Sequence, residues 1–204
     1  MLQYITDPES EKSIADQVKE VIAGGCRWIE VFMPNSTDEE VQNTVEEIRP
    51  LVEPVDAFLI LTDRVELAKK LNVGGVHLTE NGMSPGKARL LLGAGAVVGA
   101  SASTMDEIRK LRNFDVDYIA LTPFKARVST KLSLGIDGIK ELTEGMEKEM
   151  IAIARVAREG IILEDVPGLL EAGVNGVAVR KAIAEAPDIK AASEAFIKLM
   201  PAKE

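Results

Sequence analysis

Asp63 stands where an apolar run gives way to a helical pattern. The stretch FLILTDRVELAKK, residues 58–70, begins like a buried strand and changes its hydrophobic period at Asp63. A carboxylate at this boundary can bind a hard cation such as Mg²⁺, which prefers one or two carboxylates together with phosphate oxygens and water. It can equally cap the following helix by accepting a hydrogen bond from the first turn. The residues alone leave both interpretations open.

Cations are concentrated in the later part of the chain. Arg180 and Lys181 follow the apolar run GVAV, where a helix could begin, and they could bind phosphate there or form a solvated helix start. The segment TPFKARVSTKLSLG, residues 122–135, is long for a compact protein and predicts either a lid for a diphosphate or a solvated loop. It carries the cations Lys125, Arg127 and Lys131 together with the hydroxyls of Ser129 and Thr130.

His77 is the only histidine of the chain and lies within the apolar stretch GVHL. Histidine is the usual proton shuttle near neutral pH. Its position inside a predicted strand nevertheless favours a packed, hydrogen-bonded role in the core. The sequence contains neither a Gly-x-Ser-x-Gly nucleophile elbow nor a helical His-Glu metal motif.

Eight apolar runs, each followed by a segment of helical period, must position these residues. This count predicts an α/β fold, a (β/α)8 barrel, as one domain over residues 1–204. The continuous apolar runs favour a parallel sheet, and the competing open sheet would carry a glycine-rich first turn, which ITDPES lacks. The predicted strands are Leu2–Thr6, Trp28–Met33, Ala57–Thr62, Gly75–Thr79, Ala96–Ser101, Tyr118–Pro123, Met150–Val156 and Gly176–Val179.

One helix start carries a recognisable signal. In STDEEVQNTVEEI the apolar residues Val41, Val45 and Ile48 share a helical face, and Ser36 with Glu39 fits a capping box.

A barrel places function at the carboxyl ends of its strands. Those ends supply candidates of mixed polarity: Thr6, Asp7, Glu30, Phe32, Thr62, Asp63, Glu80, Asn81, Ser101, Ser103, Thr122, Lys125, Arg158, Gly160, Arg180 and Lys181.

The charge balance limits the classes of partner. A net charge of −9, from 24 basic and 33 acidic residues, argues against nucleic-acid binding, although a few local cations suffice for a small anionic ligand. The single cysteine, Cys26, excludes a disulfide framework within the chain. No run reaches membrane length, and the first ten residues do not fit a signal peptide, so we expect no membrane partner and a cytoplasmic location. Monomer and homodimer both stay open.

Several motifs share their order and spacing with a known family. QYITD, LILTDRVELAKKLNVGGVHLTEN, VVGASASTMDEI, DYIALTPF and EAGVNGVAV resemble thiamine-phosphate synthase and its thiazole tautomerase relative, TenI. The resemblance covers nearly the whole chain and implies a (β/α)8 barrel. It also implies a reaction in which hydroxymethylpyrimidine diphosphate loses diphosphate, with Mg²⁺ as cofactor, and the nitrogen of a thiazole phosphate attacks the pyrimidine cation.

The resemblance assigns roles to particular residues. Asp63 matches the family's Mg²⁺ ligand, and Glu80 could supply the second acid, for which the aligned position is Gly82. Ser101 and Lys131 match catalytic positions. The remaining expected substrate contacts are Glu30, Thr62, Lys125, Arg127, Ser129, Thr130, Gly160, Arg180 and Lys181.

The chain also departs from the family. The synthase pattern Gln-x-Arg-x-Lys after strand two is replaced by Glu30, Phe32 and Pro34, and Ser103 stands where the tautomerase has its histidine. Three hypotheses follow. The chain is a diverged synthase, or a related barrel acting on thiazole phosphate or thiamine phosphate, or a non-catalytic paralogue that keeps phosphate binding.

Overall fold

A closed parallel barrel forms the centre of the molecule. The computed structural model describes residues 1–124, 133–155 and 160–201. The strands pair in chain order, and β1 closes the barrel against β8, which confirms the predicted (β/α)8 fold. The strands are β1 Leu2–Ile5, β2 Trp28–Val31, β3 Phe58–Thr62, β4 Gly75–Leu78, β5 Val97–Ala102, β6 Tyr118–Leu121, β7 Ala152–Arg155 and β8 Gly176–Val179.

Helices alternate with these strands and cover the barrel. Their bounds are α1 Ile14–Ala23, α2 Asp38–Val52, α3 Val65–Leu71, α4 Pro85–Leu92, α5 Met105–Leu111, α6 Gly135–Glu144, α7 Val166–Glu171, α8 Lys181–Ala184 and α9 Ile189–Leu199. Short 3₁₀ turns lie at Glu53–Val55 and Leu163–Asp165. Within the ranges described above, no helix is both long enough and apolar enough to span a membrane.

The start of α2 corrects one expectation. The capping box is formed by Thr37 and Glu40, one residue later than the predicted pair Ser36 and Glu39. The Thr37 hydroxyl accepts a hydrogen bond from the Glu40 N–H at 3.2 Å, and the Glu40 carboxylate accepts one from the Thr37 N–H at 2.6 Å. Both pairs fit the capping-box pattern in sequence. The helix uses Thr37 and Glu40, whose side chains accept hydrogen bonds from the backbone N–H groups of Glu40 and Thr37.

Successive side chains of each strand point alternately towards the helices and into the bore of the barrel. On β2, Ile29 packs in the apolar layer under the helices, whereas Glu30 is fully buried and bonded to residues of other strands inside the barrel. On β4, Val76 and Leu78 pack outward, and His77 lies inside. The bore therefore combines apolar and polar side chains.

Gly99 on β5 makes room for the largest ring in the bore. A Cβ atom at this position would lie 2.0 Å from Cζ of Tyr118, a separation that no real contact permits. The Tyr118 ring also meets Trp28 edge to face, with 4.9 Å between the ring centroids. Because residue 99 is glycine, the Tyr118 hydroxyl can reach the centre of the barrel.

Candidate active site at the carboxyl ends of the strands

A cavity of about 290 Å³ opens at the carboxyl ends of the strands. Its wall combines apolar side chains with hydroxyls, carboxylates and two arginines. The lining residues are Ile5, Phe32, Thr79, Glu80, Ser101, Ala102, Ser103, Glu107, Thr122, Pro123, Arg155 and Arg180. The site that sequence position predicted for a barrel is thus present as a physical cavity, and the predicted residues Glu80, Ser101 and Arg180 lie in its wall.

An ion pair between Glu30 and Arg155 lies at the inner end of the cavity. Arg155 donates from Nη1 to Glu30 Oε2 at 2.6 Å and from Nη2 to Oε1 at 2.8 Å, while the Thr62 hydroxyl donates to Oε1 at 2.6 Å. Arg155 lines the cavity, and Glu30 lies beneath it with no exposed surface. The carboxylate that was expected to contact substrate is therefore occupied by Arg155 and Thr62.

The environment of Glu30 keeps it charged. Burial alone would raise its pKa, but the charge of Arg155, with the hydrogen bonds from Arg155 and Thr62, outweighs burial and lowers the pKa to about 2. The charge of Glu30 raises the pKa of Arg155 in turn, against the effect of burial. The pair is fully ionised and carries no net charge. Arg155 consequently offers its remaining N–H groups as oriented donors more than as a free cation.

A second polar group in the bore connects Gln3, Tyr118, His77 and Ser101. The Gln3 Nε2 atom lies 3.1 Å from the Tyr118 hydroxyl, that hydroxyl lies 2.9 Å from His77 Nδ1, and His77 Nε2 lies 3.0 Å from Ser101 Oγ. Burial, followed by the charge of Arg155, lowers the pKa of His77 to about 3, so the imidazole is neutral at physiological pH. The predicted packed and hydrogen-bonded role of His77 is confirmed.

Asp63 links the loops after β3 and β4. Its carboxylate accepts a hydrogen bond from the Thr79 N–H at 2.7 Å and another from the Thr79 hydroxyl at 2.5 Å. The residue has a left-handed backbone with φ of 58°, and α3 begins after Arg64 without any side-chain cap. The capping interpretation of Asp63 is therefore wrong, because its oxygens face the neighbouring loop instead of the helix.

Gly82 lies against the same carboxylate. A Cβ atom at Gly82 would lie 2.1 Å from Asp63 Oδ1, so a side chain at this position would displace the Asp63 carboxylate from its present place. Glu80, two residues earlier, lines the cavity. The site that resemblance assigned to a second acid is thus filled by the Asp63 carboxylate itself, and Glu80 is the nearby acid on that loop.

Asp63 and Glu80 carry the donor type that Mg²⁺ takes when it bridges to a substrate phosphate, but only Glu80 is among the residues that line the cavity. Each Asp63 oxygen accepts one hydrogen bond from Thr79 and has a further lone pair that could bind a cation. Across the described parts of the chain, no three histidine, cysteine, aspartate or glutamate residues form an all-protein metal cage. Mg²⁺ does not require one, because it commonly takes one or two carboxylates and completes its shell with phosphate oxygens and water. Asp63 and Glu80 would supply that pair.

Gly160 lies next to the first residues of α8. Gly160 has a left-handed φ of 76°, and its Cβ position lies 3.6 Å from the Ala182 backbone nitrogen and 3.8 Å from that of Lys181. The Arg180 guanidinium lies 5.3 Å from the centroid of the Phe32 ring, which suits a cation–π contact. The predicted pairing of Gly160 with Arg180 and Lys181 in one region is present.

The Lys181 side chain lies among acids. Its ammonium group is 3.4 Å from Glu9 and 3.2 Å from Glu185, and the hydrogen bond with Glu185 is the main cause that raises its pKa. Five expected contacts, at Lys125, Arg127, Ser129, Thr130 and Lys131, and the strand-end candidate Arg158 lie outside the described residues.

The sequence analysis missed several residues of the site, among them Thr79, Gln3, Arg155 and Tyr118. Arg155 was included in a predicted strand, and Tyr118 was counted only as strand material. A signal for Arg155 did exist, because it stands two positions after Ile153 and therefore shares its inward face. The same alternation places Tyr118 on the inward face, two positions before Ala120, but its contact with His77 joins residues 41 positions apart.

A closed (β/α)8 barrel with polar side chains converging on a cavity at its carboxyl ends has the architecture of a barrel enzyme. The family model for thiamine monophosphate synthase matches residues 2–183. The chain belongs to this thiamine monophosphate synthase family.

Individual relatives agree with the family match. The thiamine-phosphate synthase of Bacteroides fragilis strain YCH46 is 37% identical over 92% of this chain and 93% of its own length. That of Bacteroides thetaiotaomicron is 35% identical over 97% of this chain and 96% of its own length. The structure of thiamine phosphate pyrophosphorylase from Pyrococcus furiosus superimposes with a TM-score of 0.86, at 24% identity, over 97% and 94% of the two chains, which supports the fold.

Proposed function

We propose that this chain is a transferase that joins hydroxymethylpyrimidine diphosphate to a thiazole phosphate and releases diphosphate, as a step of thiamine biosynthesis. The family match over residues 2–183 carries this proposal, because it spans the described site residues from β1 to β8. The relatives' names describe the same synthase activity. The alternatives without synthase activity have no observation of comparable weight.

The reaction breaks one bond and forms another. The carbon–oxygen bond to diphosphate breaks with its electron pair leaving on oxygen, and the thiazole nitrogen then gives its lone pair to the pyrimidine methylene carbon. Such a reaction needs stabilisation of the leaving anion more than it needs a strong base. This requirement fits a site whose histidine is neutral and buried and whose wall carries hydroxyls and arginines.

We assign the pyrimidine to the inner end of the cavity. Arg155 offers N–H donors there, and the charge of Glu30 balances its own charge. Donors within a neutral ion pair suit the uncharged acceptor atoms of a heteroaromatic ring. Phe32 supplies an apolar face nearby. In this proposal Glu30 and Thr62 act through Arg155 and hold it in place.

The two phosphate-bearing groups take the outer part of the site. We assign the thiazole phosphate to Gly160, Arg180 and Lys181, where backbone nitrogen atoms and cations of the β8–α8 region gather. Ser101 lines the cavity as a catalytic donor. The proposed diphosphate contacts on the β6–α6 segment are Lys125, Arg127, Ser129, Thr130 and the catalytic Lys131.

Mg²⁺ is the proposed cofactor, held by Asp63 and Glu80. When bound, it would neutralise charge on the leaving diphosphate. Thr79 orients Asp63 by donating to both of its carboxylate oxygens. We place the reaction in the cytoplasm, where the buried free thiol of Cys26 suits a reducing environment. A homodimer is compatible with this reaction, which needs no nucleic acid or membrane.

Turnover of the two substrates tests the proposal. With both substrates and Mg²⁺, the protein should form thiamine phosphate and diphosphate in equal amounts, and Asp63→Asn should reduce that rate by at least about 100-fold, the typical loss when one stabilising group is removed from a charged transition state. Asp56→Asn is a matched control, because Asp56 also has a left-handed backbone, with φ of 51°, and lies on the surface.

The alternatives make different predictions. If the protein shows no turnover yet binds thiazole phosphate in calorimetric titrations, it is a non-catalytic relative that keeps the phosphate site. Full activity in Asp63→Asn would exclude Asp63 as the metal-linked carboxylate. Binding of pyrophosphate only in the presence of Mg²⁺ would support the diphosphate half of the site.

A further inference from the structure

The direction of each hydrogen bond in the Gln3–Tyr118–His77–Ser101 group can be worked out from the available protons. The Gln3 amide nitrogen faces Tyr118, and its Oε1 atom is buried without a hydrogen-bond partner. Within the described part of the chain, this orientation leaves the oxygen and one amide N–H unpaired, whereas the reversed amide would leave both N–H donors unpaired, and unpaired buried N–H groups are rarer than unpaired carbonyl oxygens. Gln3 therefore donates to the Tyr118 hydroxyl.

The hydroxyl of Tyr118 then fixes the proton of His77. This hydroxyl has one proton, and among the described residues His77 Nδ1 is the acceptor that it can reach once Gln3 is a donor. Tyr118 therefore donates to Nδ1, so that nitrogen is unprotonated. A neutral imidazole must carry its one proton on the other nitrogen, which places it on Nε2.

The proton on His77 Nε2 determines how Ser101 is hydrogen-bonded. His77 Nε2 lies 3.0 Å from Ser101 Oγ and, with its proton, donates to that oxygen. The hydroxyl proton of Ser101 is then not needed by His77. Since Ser101 lines the cavity, its hydroxyl can donate to a group bound there.

We propose that Gln3, Tyr118 and His77 are positioning residues that hold the Ser101 hydroxyl as a hydrogen-bond donor to an acceptor atom of the bound substrate. The proposal deepens the synthase function above and rests on it for the identity of the substrate. The direction of the hydrogen bonds depends on the protein alone. A fixed donor aimed into a cavity is the arrangement that stabilises negative charge without reorganisation during the reaction.

The chain is well suited to a direct test because it has one histidine. Protein labelled with ¹⁵N in histidine should give one pair of imidazole nitrogen signals, which report the tautomer by NMR at neutral pH. We expect a protonated Nε2 and an unprotonated Nδ1. A protonated Nδ1 in the wild-type protein would overturn the proposal.

Two tyrosine variants separate positioning from simple loss of a buried hydroxyl. Tyr4 and Tyr118 are the only tyrosines, and both are buried, but the Tyr4 hydroxyl donates to Gln17 and takes no part in the chain to Ser101. Tyr118→Phe should lose the single Nε2-protonated form and lower kcat more than it changes KM. Tyr4→Phe should keep the wild-type tautomer and kcat at temperatures where both variants are folded.

Ser101→Ala completes the comparison. It removes the donor without removing Tyr118, so the His77 tautomer should stay that of the wild type while kcat falls about 100-fold or more. An unchanged tautomer and kcat in Tyr118→Phe would contradict the positioning role. If the wild-type protein shows the Nε2-protonated form but no turnover, the proposed function fails while the inferred hydrogen-bond direction stands.

Discussion

The two faces of the same barrel strands differ in chemistry. The outer face packs against the helices with aliphatic side chains such as Ile29, Val76 and Leu78. The inner face carries a buried ion pair and a chain of hydrogen bonds among apolar neighbours. Burial of apolar surface stabilises the outer layer without directional demands. The inner face instead requires each polar group to find its partner, and it thereby positions the site.

This difference follows from what each face must do. A buried ion pair contributes little net stability, because loss of hydration offsets much of the attraction between its charges. Glu30 and Arg155 are therefore better explained by the cavity, which Arg155 lines and Glu30 supports from beneath, than by the fold. The outer layer would suit any protein with this architecture, whereas the inner face supports the wall of the cavity.

Breaking the ion pair should give the largest effect. Glu30→Ala leaves Arg155 buried without its counter-ion, and we expect it to lower the free energy of unfolding by about 3–5 kcal/mol, as is typical of a broken buried pair. Ile29→Ala, the neighbouring outward residue with the same complete burial, should cost about 2–5 kcal/mol through lost apolar contacts. Chemical denaturation of both variants measures these changes.

The double variant Glu30→Leu with Arg155→Met sharpens the contrast between the faces. Replacing a buried ion pair by apolar groups is often neutral for stability, so much of the loss in Glu30→Ala should be recovered. Activity should not be recovered, because the Arg155 donors are gone. A double variant as active as the wild type would contradict the role given to this pair.

Acid should lower the free energy of unfolding through His77, which lies on the inner face. The pKa of His77 is about 3 in the folded chain, against an ordinary 6.5. As the pH falls below 6.5, the unfolded chain binds a proton that the folded chain does not, so the free energy of unfolding falls by at most about 1.4 kcal/mol per pH unit. Denaturation curves between pH 6.5 and 5 should show this slope.

The matched variant for this pH effect is His77→Gln, which removes the only histidine. Its stability should depend less on pH in the same window, even if its stability at neutral pH is lower. Glu30 titrates at still lower pH, because its folded pKa is about 2, and it should affect stability only below its ordinary value of 4.5. Equal slopes for wild type and variant would show that His77 does not cause the effect.

The smallest effect is expected at the exposed rim. Lys181→Met removes ion pairs to Glu9 and Glu185, both with well-exposed side chains, and should change the free energy of unfolding by about 0–1 kcal/mol. Thermal unfolding tests this, and calorimetric titration with thiazole phosphate tests the proposed phosphate contact. Unchanged affinity in Lys181→Met would leave that contact to Gly160 and Arg180.

Local patterns predicted the fold better than they predicted the site. Eight apolar runs with intervening helical periods sufficed for the barrel, because each strand and helix depends mainly on nearby residues. Several strand ends moved by one or two residues, as in β2, which is Trp28–Val31 and not Trp28–Met33. Position at strand ends also placed Glu80, Ser101 and Arg180 in the cavity correctly.

The contacts of the site depend on partners far apart in the chain. The partners of Asp63 and Glu30 lie 16 and 125 positions away, and no spacing rule connects them. For this reason the capping hypothesis for Asp63 was reasonable and still wrong, and the occupation of Glu30 by Arg155 could not be foreseen. Alternation along the strand identifies which residues face inward, but the bonding among them requires the folded barrel.

The contact between Trp28 and Tyr118 gives the barrel an optical reporter. Trp28 is the only tryptophan, and its indole ring meets the Tyr118 ring edge to face within the bore. Its fluorescence therefore originates from one place, next to the residue that we infer to orient His77. Emission from the unmodified protein can follow changes in the barrel interior as ligands bind, without an added label.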